Sequence, residues 1–189
     1  MIEGGTSEGL FALLSAIVGG ALTVSGDWIR NWNDRKRRAQ YLAIRCIIAL
    51  DAFVGNCASA LTNNPEAPPG TNPDDVFDMP DRFQIPDDVD WTSISHSLSH
   101  RILSIPQRDS AAREAVRFIL GVADGYAACE SRNDDFIKLS LDSAAIAAEL
   151  RRLYRIRNSE IKGWNPVKIL NDLKNARLKD DEKIAEAAE

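Results

Sequence analysis

Residues 9–40 read GLFALLSAIVGGALTVSGDWIRNWNDRKRRAQ, and how they are understood decides the fold. Gly9 to Gly26 carry no charge over 18 residues, about 27 Å of helix at 1.5 Å per residue. Trp28 and Ile29 extend this run close to the hydrocarbon thickness of a bilayer. Leu10, Phe11, Leu13, Leu14, Ile17, Val18, Leu22 and Val24 supply its hydrophobicity, while the glycines, Ser15, Thr23 and Ser25 dilute it. A transmembrane helix over 9–29 is the expectation, preceded by a short extracytoplasmic N-terminus over 1–8. A secretory signal would need positive charge ahead of the apolar run, and Glu3 and Glu8 stand there instead. The competing reading is a soluble helical oligomer whose N-terminal helix is apolar all round because it is buried.

The charged half of the stretch sets a boundary. Residues 26–40 hold five basic and two acidic side chains, net +3, in a chain of net charge −5. Arg30, Arg35, Lys36, Arg37 and Arg38 follow the apolar run closely, and no Lys or Arg precedes it. Flanking cations of this kind are retained on the cytoplasmic side, so the C-terminal body is expected in the cytoplasm. Trp28 and Trp32 fit the aromatic belt at the membrane interface, and the cations fit anionic headgroups. A basic run also suits a nucleic-acid backbone, but the acidic balance of the whole chain and the apolar run before it argue against nucleic acid as a partner. Within the apolar run, Ala12, Ala16 and Gly20, and beside them Ser15, Gly19 and Thr23, recur every four residues. Small side chains at that spacing let two helices approach closely, which makes a homo-oligomer an expected arrangement.

Beyond the boundary no Gly or Pro interrupts the chain from Asp27 to Val54. Tyr41, Leu42, Ile44, Ile47, Ile48, Leu50, Phe53 and Val54 recur at helical spacing. The membrane helix is therefore expected to continue through 30–62 as one rod, ended by Gly55 and the Thr62-Asn63-Asn64-Pro65 run. Residues 63–90 hold six of the eight prolines and eight acids against one arginine. They read as a long acidic loop, with Val76, Phe77, Met79, Phe83 and Ile85 as apolar islands that tack it onto the body. From 91 to 189 the pattern is a helical bundle. Its helices are expected at Trp91–Leu103, capped by Asp88 or Asp90 and broken by Pro106, at 108–130, and at 135–154 after a turn at Ser131–Asp134. A charged last helix starts at Val167, after Asn165 as cap and Pro166 as first residue. The fold class is all-α, an antiparallel helical bundle on a long N-terminal helix that begins as a transmembrane segment.

The chemistry-bearing residues are few. His96 and His100 lie four apart on a helix, a spacing that can chelate a metal. The sequence between them, HSLSH, lacks the glutamate of the metalloprotease motif, and no third ligand is evident beyond the nearby Asp87, Asp88 and Asp90. They form the candidate metal pair and support an alternative reading, a small metal-binding protein or metal-dependent enzyme. Asp51 sits among apolar neighbours and, if buried, needs a cation such as Arg45, Arg101 or Arg117. Cys46 and Cys57 are about 16 Å apart along one helix, beyond disulfide reach, and with Cys129 read as small hydrophobes. No nucleophile elbow and no glycine-rich phosphate loop is present, so neither a catalytic residue nor a cofactor is assigned.

Three stretches carry a resemblance: YLAIRCIIALDAFVGNC (41–57), DVDWTSISHSLSHRILSIP (88–106) and LRRLYRIRNSEIKGWNP (150–166). Together with the apolar run they resemble uncharacterised bacterial inner-membrane proteins with a single pass and a cytoplasmic helical domain. The resemblance implies a bacterial inner-membrane setting and no activity. The expected function is therefore a membrane-anchored interaction, scaffold or sensor protein, held by residues 9–29 and acting on a protein partner.

Overall fold

The computed structural model describes residues 5–62, 78–123, 125–158 and 163–187, with the backbone alone for residues 5–27, 29, 126, 180–182, 184, 185 and 187. It is helical throughout, with no strand among the described residues, and its helices pack against one long N-terminal helix. That helix, α1, runs Gly5–Thr62. It is continuous through the boundary region because Asp27 to Val54 contain neither Gly nor Pro, and its 58 residues span about 87 Å. Gly55 does not end it: the helix passes through and stops at Thr62, whose hydroxyl bonds the Ala58 carbonyl at 2.6 Å. The first four residues lie outside the described residues, as do 63–77 with Val76 and Phe77.

Asp78 to Asp90 return along α1 toward its N-terminal half. Asn56 donates to Asp81 at 3.1 Å, Phe83 meets Phe53 edge-on at 5.7 Å, and Arg45 and Tyr41 reach Asp88 at 3.0 and 3.2 Å. Met79, Phe83 and Ile85 do tack this strap onto the core. Asp90 caps a single 3-10 turn, Trp91–Ser93, through Thr92 N–H, and Ser95 caps the short helix α2, His96–Leu103. The expected helix from Trp91 is thus two pieces, because each cap consumes a residue that must be extended. Helix α3 runs Ile105–Val122, with Pro106 in its first turn, where proline's missing N–H costs nothing.

The turn expected at Ser131–Asp134 is not there. Helix α4 runs Gly125–Tyr154 straight through it, and the break falls at Ala123, whose backbone is extended. The polar run Ser-Arg-Asn-Asp imitates a turn, but Ala128, Arg132, Phe136, Leu139, Ser143, Ala147 and Leu150 share one buried face. Arg132 is fully buried in that face, with its guanidinium on Asn133 Oδ1 at 3.0 Å. Helix α5, Pro166–Ala187, begins as expected, with Asn165 accepting from Lys168 N–H at 3.0 Å. The core lies where α1 meets α4. Leu42, Ala43, Cys46, Leu50 and Cys57 from α1 and Phe136, Ile146, Ala147 and Leu150 from α4 are all buried.

Candidate functional site

Two places on this fold could act on something else. The first is the base of the bundle on α1. Trp28 and Trp32 are 69% and 58% exposed, so no part of the bundle claims them. Lys36 holds its ammonium 5.6 Å from the centre of the Trp32 ring. Arg30, Arg35, Lys36, Arg37 and Arg38 are all exposed. They are not all unattached, because the strap reaches them: Arg35 touches the Thr92 carbonyl at 3.4 Å and Arg38 lies 3.6 Å from Asp90. Hydrogen bonds from Thr92, with a smaller contribution from Arg38, hold the Asp90 carboxyl below its usual range. Among the described residues Arg30, Lys36 and Arg37 have no ion-pair partner, and these are the cations left for an external anion. The positions expected to pair helices (Ala12, Ser15, Ala16, Gly19, Gly20 and Thr23) lie on the helical backbone of α1, and their side chains fall outside the described ones.

One helix near the N-terminus is long and apolar enough to cross a membrane, and by composition the qualifying part among the described side chains is Arg30–Thr62. Half of its apolar window is buried in the bundle. The inward side of this part is therefore core helix, and the segment expected to enter lipid is the preceding 9–29.

The second place is a groove of about 990 Å³ between α1, α4 and the start of α5. Its floor is made of Gly55, Ala144 and Ala148, small enough to leave space between the helices, and Trp164 stands at its rim, 42% exposed. Asp51 and Arg151 face each other across it in an ion pair. Asp51 is only partly buried, its side chain 45% exposed, and its ion-pair partner is Arg151, not Arg45, Arg101 or Arg117. Arg45 pairs with Asp88, Arg101 with Glu149 at 2.6 Å, and Arg117 lies on the exposed surface of α3. Burial raises the Asp51 carboxyl above its ordinary value, and the Arg151 guanidinium offsets only part of that. The Nε of Arg151 is buried without a hydrogen-bond partner. The groove has two cations, Arg151 and Lys168, two carboxylates, Asp51 and Asp172, and the Trp164 indole, but no serine, threonine or cysteine in its described lining.

His96 and His100 stand on α2, both exposed, opposite its buried residues Leu98 and Ile102. Among the described residues no group of three or more His, Cys, Asp or Glu is placed to hold a metal ion. Of the expected helpers, Asp88 is engaged by Arg45 and Tyr41, and Asp90 by Thr92 and Arg38. Cys46 and Cys57 are buried and unbridged, and burial pushes the Cys46 thiol up to about 12 and the Cys57 thiol further. Both stay protonated and unreactive near neutrality.

Sequence reasoning missed a buried polar knot. Asp109 is 2% exposed and bonds Arg113 at 3.0 Å, and Arg113 also reaches the Pro80 carbonyl and lies 5.5 Å over the Phe136 ring. The spacing of four between Asp109 and Arg113 was the available signal. Nothing in the sequence says that the strap closes over it. Comparison of the chain with family models, with curated proteins and with solved structures finds no match.

Proposed function

We propose that this chain is a single-pass protein of the bacterial inner membrane, N-terminus outside, whose cytoplasmic helical bundle is an interaction module. The observation that carries this reading is the continuity of α1. One unbroken helix joins an 18-residue uncharged run to the core of the bundle, and exposed Trp28, Trp32 and a basic cluster mark the join. A rigid helix through the join holds the bundle at a fixed height and orientation above the bilayer. That is useful for a scaffold or a sensor and irrelevant to a freely diffusing enzyme. The basic residues supply attraction to anionic headgroups, about 1 kcal/mol for each one close to the surface.

Carbonate extraction of membranes from cells expressing the full chain tests the anchor. The protein is expected in the pellet, and replacing Leu14 and Val18 together by Arg is expected to move it to the supernatant, since each central charge costs about 2.5–3.5 kcal/mol on the insertion scale. Release of the unaltered chain would refute the anchor and favour the soluble oligomer.

A further inference from the structure

The strap runs along α1 toward its N-terminal end and keeps step with it. Asp81 meets Asn56, Phe83 meets Phe53, and Asp88 meets Arg45 and Tyr41. Asp90 then meets Arg38, and the Thr92 carbonyl meets Arg35. Helix α2 leads away again, since its Arg101 reaches Glu149, two residues from the Arg151 that pairs with Asp51. The 3-10 turn Trp91–Ser93 is therefore the point of the strap nearest the apolar run. Arg35 follows Trp28 by seven residues, two helical turns, so the turn stands on the same side of α1 as Trp28 and about 10 Å beyond it. Stepping back by seven from buried Cys46 gives buried Ala39 and then Trp32, with Trp28 one turn earlier. The core face of α1 thus continues past the bundle as two exposed indoles, directly beneath the strap's turn.

We propose that the bundle is seated on the bilayer surface, with Asp90–Ser93 against the outer edge of the headgroup layer and the two indoles below it among the headgroups. This rests on the membrane-anchored reading of residues 9–29. Length favours it. The headgroup region on each side of the hydrocarbon is about 5–8 Å thick. With Trp28 at the hydrocarbon boundary, Trp32 at about 6 Å lies within that layer, and Thr92, tied to Arg35 at about 10 Å, meets its outer edge. A protein partner has no room there, because the two turns of helix below the strap are the depth the headgroups fill. Charge agrees. The acids at this end of the strap are met, Asp90 by Arg38 and Asp88 by Arg45. On the same stretch of α1, Arg30, Lys36 and Arg37 outnumber Asp34, which leaves this end of the molecule attractive to anionic lipid. The groove beside Asp51 lies about 24 Å farther along α1 than Arg35, clear of the surface.

Headgroup quenching of the full chain in vesicles of phosphatidylethanolamine and phosphatidylglycerol tests the seat. The vesicles include phosphatidylcholine carrying a nitroxide on its headgroup. A thiol-reactive bimane is placed at Thr92→Cys, and for comparison at Arg82→Cys, each in a Cys129→Ser background in which Cys46 and Cys57 are buried. Thr92 and Arg82 are both exposed strap residues outside the core. Arg82 stands between the residues that meet Asn56 and Phe53, about 28 Å farther along α1 than Arg35. The label at Thr92→Cys is expected to be quenched about threefold more than the label at Arg82→Cys, since only the first lies within reach of a layer this thin. A single-tryptophan chain that keeps Trp91, with phenylalanine at the other three, is expected to show the same excess over one that keeps Trp164. Equal quenching of Thr92→Cys and Arg82→Cys, whether weak or strong, would overturn the seat. Carbonate washing of the same vesicles separates the two readings. Retention with equal quenching keeps the anchor and removes the seat. Release of the chain removes the anchor and the seat with it.

Discussion

Arg113 shows how much one side chain decides here. It neutralises the buried Asp109 carboxylate, satisfies the Pro80 carbonyl and covers the Phe136 ring. Removing one member of a buried pair leaves an uncompensated charge, typically at a cost of 3–5 kcal/mol. Arg113→Ala should therefore lower stability by about 4 kcal/mol in urea unfolding. The double change Asp109→Leu with Arg113→Met should cost far less than the single one, because no buried charge is stranded. Asp51 behaves differently. Its raised carboxyl pKa means the folded state binds the proton more tightly than the unfolded chain. Its contribution is then fully present below the ordinary value of 3.8 and is lost as pH rises through the folded pKa. Asp51→Asn cannot ionise, so the stability of the unaltered chain relative to Asp51→Asn should fall as pH is raised from about 3 to 6. Urea midpoints across that range check the sign. Asp51 was visible in the sequence as a charge among apolar neighbours, but its partner was not, because Arg151 comes from another helix; the role of Arg113 was not visible, because Pro80 and Phe136 come from other elements.

At the scale of elements, the chain is governed by its caps. Helix α4 ends at Tyr154 with Arg155 at φ +54°, and Ile156 N–H returns to the Arg151 carbonyl at 3.0 Å. This is the left-handed stop usually given to glycine, and Ile156 packs on the core beside it. Arg155→Gly should raise stability by about 0.5–1 kcal/mol, since the bulky side chain pays a steric penalty there that glycine does not. An unchanged urea midpoint would show the penalty to be relieved in another way. The caps at Asp90 and Asn165 were legible because their side chains act within three residues, whereas the cap at Ser95, which splits the helix expected over Trp91–Leu103, was not foreseen. The false turn at 131–134 was not, because burial of Arg132 depends on a neighbour brought in from outside the helix, the strap at Asp78.

At the scale of the whole molecule, α1 serves as both support and core, and the strap closes the bundle against it. Phe83 is 6% exposed and lies edge-on to Phe53. Phe83→Ala should cost about 3–5 kcal/mol and speed hydrogen exchange in the strap before it does so in α4, because Phe83 is the largest buried side chain of the strap while Met79, Ile85 and Val89 are only partly buried. Uniform loss of protection across the bundle would mean the strap is part of the global folding unit. The sequence by itself determined that the chain is helical, that its first helix runs unbroken from the apolar run to Thr62, and that its last helix begins at Asn165-Pro166. Those features are local: periodicity, absence of Gly and Pro, and caps acting over one turn. Only the tertiary structure decided which apolar residues of α1 are core. Tyr41, Leu42, Ile44, Ile47 and Ile48 share one periodic pattern, yet Leu42 and Ile47 are buried while Tyr41, Ile44 and Ile48 face out. A helix that is apolar around most of its circumference does not announce its inward side. The packing of α4 on one face, and the path of the strap along another, made that choice.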